Sequence, residues 1–89
     1  MATVFVNNEV EDYDNWRKIY DDSEEIRDKY RVVARRVFRD SENSNMITVL
    51  IDGEMEDLQA FAKSTDLYEA MKQAGVVGLP KMRYFEDAT

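Results

Sequence analysis

The chain switches between two hydrophobic periods, and the switches mark its elements. TVFVNNEV has period two: Val4, Val6, Asn8 and Val10 share one face, while Phe5, Asn7 and Glu9 share the other. Apolar residues on both faces predict a strand that is covered on both sides. Through EDYDNWRKIYDDSEEIRDKY the period lengthens. Tyr13, Trp16, Ile19, Tyr20, Ile26 and Tyr30 fall on one stripe, which predicts an amphipathic helix. Asp12 or Asp14 caps its start, where side-chain oxygens satisfy free backbone N–H groups. Asp14–Lys18 and Glu25–Lys29 stand at the i,i+4 spacing of helical ion pairs.

RVVARRVFRD returns to strand-like residues, DSENSN is polar turn material, and MITVLID is a second apolar strand. Together they predict a hairpin over Arg31–Asp52, ended by Asp52-Gly53. MEDLQAFAKS predicts a short helix with Met55, Leu58, Phe61 and Ala62 on one side. Ser64, Thr65 and Asp66 restart it with a fresh cap, and Leu67, Met71 and Ala74 extend the stripe. AGVVGLP then ends the helix twice over. Gly75 is a C-cap residue, Gly78 permits a second sharp turn, and Pro80 opens the last strand, KMRYFED.

The order β-α-β-β-α-β predicts an α+β ferredoxin-like sandwich, with a four-stranded antiparallel sheet and helices on one face. Residues 1–89 read as one domain without repeat or linker. The other sheet face keeps Phe5 and further apolar residues of the hairpin. Such a face needs a cover, and a second copy of the chain is the simplest one.

Composition narrows the chemistry. A chain of 89 residues buries only about 60–65% of its unfolded surface, which adds weight to a homodimer. There is no cysteine and no histidine. Thiolate zinc sites, disulfides, the commonest general base and the usual haem ligands are all missing, so neither a metal nor a cofactor is expected. The net charge of −7 argues against nucleic acid and anionic membrane as partners. No apolar run approaches the ~18 residues of a membrane span. MATVFVNNEV lacks the pattern of a signal peptide, and the expected location is cytoplasmic.

Some clusters invite sharper readings. Arg31, Arg35, Arg36 and Arg39 suggest an anion site, but charge on an edge strand also blocks sheet-to-sheet aggregation, and that reading is preferred. The acidic run DDSEE lacks the glycine and spacing of a cation loop and reads as a solvated helix face. Tyr68 and Tyr84 are either pocket hydroxyls or packing residues, the second being preferred.

VEDYDNW, Arg27 further along the helix, FRD before the hairpin turn, and LYEAMKQAGVVGLP before the last strand together resemble a known group. It is the antibiotic biosynthesis monooxygenase-like group of the dimeric α/β-barrel superfamily, and the resemblance covers nearly the whole chain. It implies a ferredoxin-like fold that pairs two sheets into a barrel. Activities in that superfamily include cofactor-independent oxygenation of aromatic polyketides and oxygenative haem breakdown. The resemblance implies a catalytic role for an Asn in the first strand, and Asn8 matches better than Asn7. The superfamily's catalytic tryptophan comes from elsewhere in the chain, and Trp16 does not replace it.

The implied pocket lies between sheet and helices, where core and pocket wall coincide. Asn8, Trp16, Tyr20, Ser23 and Arg27 are the candidate ligand-binding residues, and Asn8 is the candidate catalytic one. Arg27 falls in the apolar stripe beside Ser23. It either holds a ligand carboxylate or phenolate, or snorkels to a carboxylate at the rim. The expected function is a homodimeric binder of a small aromatic or acidic molecule; if it is an enzyme, the resemblance implies cofactor-independent oxygenation or other chemistry on an aromatic or polyketide-like compound. The alternative is a non-catalytic dimeric structural or interaction module whose pocket its own side chains fill. The lack of histidine favours that alternative. An open volume of a few hundred Å³ separates the two.

Overall fold

The computed structural model describes residues Met1–Thr89. Its elements run β1 (Ala2–Val10), α1 (Tyr13–Asp22), α2 (Glu24–Lys29), β2 (Val33–Arg39), β3 (Met46–Gly53), α3 (Met55–Ala62), α4 (Thr65–Gln73) and β4 (Val76–Glu86). The sheet order is β2-β3-β1-β4, with every neighbouring pair antiparallel. This is the ferredoxin-like βαββαβ topology expected from the alternating periods.

The parity of β1 decides the core. Ala2, Val4, Val6, Asn8 and Val10 are buried against the helix layer. Ile47, Val49 and Ile51 of β3 join them, as do Trp16, Leu58 and Phe61 from the helices. Phe5 points the other way, opposite Leu50 and Arg83. Phe5, Phe85 and, on the edge strand β2, Phe38 all leave apolar surface exposed on the outer sheet face. The Phe5 and Phe85 rings lie 4.8 Å apart.

Asp12 caps α1, its carboxylate accepting from the Asn15 N–H, and Ser64 caps α4 by accepting from the Leu67 N–H. The expected long first helix is instead broken at Ser23. The Ser23 hydroxyl donates to the Ile19 carbonyl at 2.6 Å, a back-bond that bends helices. Nor do the expected i,i+4 ion pairs form. Arg17 pairs with Asp21, and Lys29 reaches across to Asp66 on α4.

α2 ends without glycine. Arg31 takes the left-handed conformation (φ 59°). The Val32 N–H bonds the Arg27 carbonyl and the Arg31 N–H bonds the Asp28 carbonyl, which is the Schellman pattern.

The AGVVGLP stretch also behaves differently from expectation. Gly75 (φ 77°) follows the end of α4 as predicted. However, the last strand begins at Val76 and not at Pro80. Val76 and Val77 pair with Val10 and Glu9, and pairing resumes with Lys81 opposite Asn7. Gly78, Leu79 and Pro80 therefore bulge out of the ladder opposite Asn8. The positive φ of Gly78 (70°) permits the bulge. No helix is long and apolar enough to cross a membrane.

Candidate functional site

The cavity between sheet and helices has Val6, Asn8, Val49 and Ile51 for its floor, and α1, α2, α3 and α4 for its walls. Asn8, Trp16, Tyr20, Ser23 and Arg27 all line it. Twelve of the fifteen lining residues are hydrophobic. Sequence reading missed Ile26, Phe61, Leu67 and Met71, because a pocket wall and a core carry the same apolar stripe. Tyr68 and Tyr84 are not among the lining residues.

Three polar side chains reach this cavity, and two lack partners. Asn8 is 3% exposed, and its Oδ1 is buried without any hydrogen-bond partner. Leaving such an acceptor unsatisfied costs about 1–3 kcal/mol. It sits on an interior strand, paired with Ile47 of β3 on one side and facing the β4 bulge on the other. Ser23 is satisfied through the Ile19 carbonyl. Arg27 is half-buried and forms none of the ion pairs in the structure. Its guanidinium lies 4.3 Å from the centre of the Tyr20 ring.

Tyr20 is the hub of the aromatic wall. Its ring stacks on Trp16 at 5.0 Å, and Trp16 lies 5.9 Å from Tyr13. Burial pushes the Tyr20 phenol above its ordinary value, against the opposing pull of Arg27 and Arg17. The phenol is therefore protonated at neutral pH and is a hydrogen-bond donor. Because the folded value lies above the unfolded value of 10.0, the associated stability is intact below that pH and is lost as pH rises through the folded value. Tyr20→Phe should therefore lose less stability than the parent when urea melts are compared below and above 10.0. Equal losses would show that the phenol is not desolvated.

Arg27→Ala should cost only about 1 kcal/mol, the scale of a half-exposed cation–π contact. A buried pair losing one member costs about 3–5 kcal/mol, so a loss of that size in a thermal melt would reveal a protein carboxylate bound to Arg27.

The other clusters are accounted for locally. Arg35 pairs with Asp52, Arg31 with Asp57, and the Arg39 Nε donates to the Ser44 carbonyl. Arg36 stands over Phe38. β2 is a sheet edge, as the basic-edge reading requires. No three carboxylates converge on a point where a cation could be held. A larger trough of about 430 Å³ lies on the outer face beside Thr3, Phe5, Asp52 and Phe85. Three of its polar side chains are paired with one another, since the Thr3 hydroxyl donates to Asp52 at 2.6 Å and Arg35 binds the other carboxylate oxygen. The sheet–helix cavity is smaller, about 60 Å³ and partly open, but it combines a mostly apolar lining with a buried polar atom that has no partner.

No family model matches the chain, and no curated protein matches it in sequence. Solved structures do match. A protein from Bordetella bronchiseptica, provisionally named an antibiotic biosynthesis monooxygenase, superposes with a TM-score of 0.81 at 13% identity, over 99% of this chain and 97% of its own. One of the same provisional name from Caulobacter crescentus gives 0.75 at 14% identity, over 99% and 90%. An uncharacterised NIPSNAP domain protein from Burkholderia xenovorans gives 0.67 at 13% identity, over 99% and 95%. Across its full length the chain has the ferredoxin-like fold of the antibiotic biosynthesis monooxygenase structures.

Proposed function

We propose that the chain is a homodimeric small-molecule-binding protein whose ligand occupies the cavity between sheet and helices. The observation that carries this reading is the buried, unpartnered Asn8 Oδ1 at the cavity floor. A fold optimised only for stability would place a valine there, as it does at positions 4, 6 and 10. The dimer follows from the uncovered apolar residues Phe5, Phe85 and Phe38 of the outer sheet face. The chemistry that fits best is oxygenation without metal or flavin. An aromatic substrate held by Arg27 as a phenolate or enolate gives four electrons to dioxygen, one oxygen atom entering a ring CH₂ as a carbonyl and the other leaving as water, while the Asn8 amide N–H and the Tyr20 hydroxyl donate to the reduced oxygen.

One observation favours the rival reading, a non-catalytic dimeric module. The cavity of about 60 Å³ is well short of the roughly 300–1,000 Å³ of ordinary ligand pockets. Mass spectrometry of small molecules carried through gentle purification, and released on unfolding, discriminates the two. A stoichiometric companion lost in Arg27→Ala supports the ligand site. A companion retained equally by Arg27→Ala and Asn8→Val contradicts it.

A further inference from the structure

We infer that the cavity selects a compact anion whose apolar body is no larger than one ring, with its charge on Arg27 and a hydrogen-bond donor given to Asn8 Oδ1. This rests on the ligand-site reading above and adds the ligand's chemical class. The donor follows from Asn8. Its Oδ1 is buried without a partner, and only a group that donates, such as a hydroxyl or N–H, relieves the cost of that burial. An ether or methyl group at the same place leaves the oxygen unsatisfied. Ser23 cannot supply the bond, because its proton is given to the Ile19 carbonyl.

The charge follows from Arg27. It is the one cationic side chain lining the cavity, it has no carboxylate partner, and a guanidinium cannot shed its charge. The Tyr20 ring, its centre 4.3 Å from the guanidinium carbon, contacts the group without consuming its N–H donors in ion pairs. The size follows from the space. An enclosed cavity of about 150 Å³ takes up benzene. A partly open one of about 60 Å³ accommodates one ring at most, and only if part of the ligand remains at the mouth. A fused-ring body exceeds that space. The apolar wall requires that the middle of the ligand be hydrocarbon.

Trp16 is the chain's one tryptophan, so the indole N–H of the ¹⁵N-labelled protein gives a single NMR signal inside the cavity wall. It should shift saturably with 3- or 4-hydroxybenzoate. Benzoate and 4-methylbenzoate, which lack the donor, should bind about fivefold more weakly, and neutral p-cresol about tenfold more weakly. 6-Hydroxy-2-naphthoate should leave the signal in place. Arg27→Gln should weaken the hydroxybenzoates about tenfold and leave p-cresol unchanged. Equal affinity for the neutral, methylated and fused-ring compounds, or an unaffected Arg27→Gln, overturns the assigned class while leaving a ligand site standing. A signal that no compound moves overturns the class and the ligand site together.

Discussion

Phe5→Asp should convert the proposed dimer into a folded monomer at micromolar concentration. Phe5 lies at the centre of the outer sheet face, 41% exposed in the single chain and in contact with Phe85. Covering what remains open contributes about 2 kcal/mol per copy. A carboxylate at that point is desolvated on association without a designed partner, which adds a further penalty. In a two-fold dimer the same change occurs twice, so association should weaken by roughly a thousandfold or more. The monomer should survive, because Arg83 stands directly across the β1–β4 ladder and opposite charges in facing positions are favourable. Light scattering gives the mass and circular dichroism the fold. A mass still twice that of the chain would place the interface elsewhere.

Asn8→Val should make the protein more stable by about 1–2 kcal/mol, because it removes a buried acceptor with no partner and suits a strand better. For a domain of this size each kcal/mol is about 4–8 °C of melting temperature, so the rise should be obvious. Valine already occupies positions 4, 6 and 10 on the same face, and the adjoining cavity leaves room for a branched side chain. The same variant should lose the ligand. Higher stability joined to lost binding is the expected signature of a residue kept for function. A drop in melting temperature would instead mean that the amide makes a structural bond, and the cavity would lose its main polar determinant.

The alternating valines of the first strand and the i,i+3,i+4 stripes of the helices made the layer order readable, because both depend on side-chain period alone. What the sequence concealed depends on three-dimensional partners. The helix break at Ser23 arises from a hydroxyl back-bond, and a serine in the same polar setting also tolerates a continuous helix. The end of α2 uses Arg31 in a left-handed conformation normally given to glycine, so no residue type announced it. Lys29 satisfied a local pairing rule with Glu25 and took Asp66 of another helix instead. The bulge at Gly78, Leu79 and Pro80 looked like a second stop because Pro80 masks the strand already running at Val76.

The polar members of the cavity could be picked out because each interrupts an apolar face. Val6, Ile26, Phe61 and Met71 could not, since nothing in their type separates a wall from a core. The missing partner of Asn8 is visible only once every neighbour is placed.

A ligand can be held only if the cavity stays open when the dimer forms. A crystal structure of the dimer tests this directly. No protein side chain should fill the cavity, Asn8 Oδ1 should be bonded to solvent or a bound molecule, and Arg27 should be free of protein carboxylates. A side chain of either copy lodged against Asn8, or a carboxylate clamped on Arg27, would contradict it and leave a dimeric module with a self-filled core.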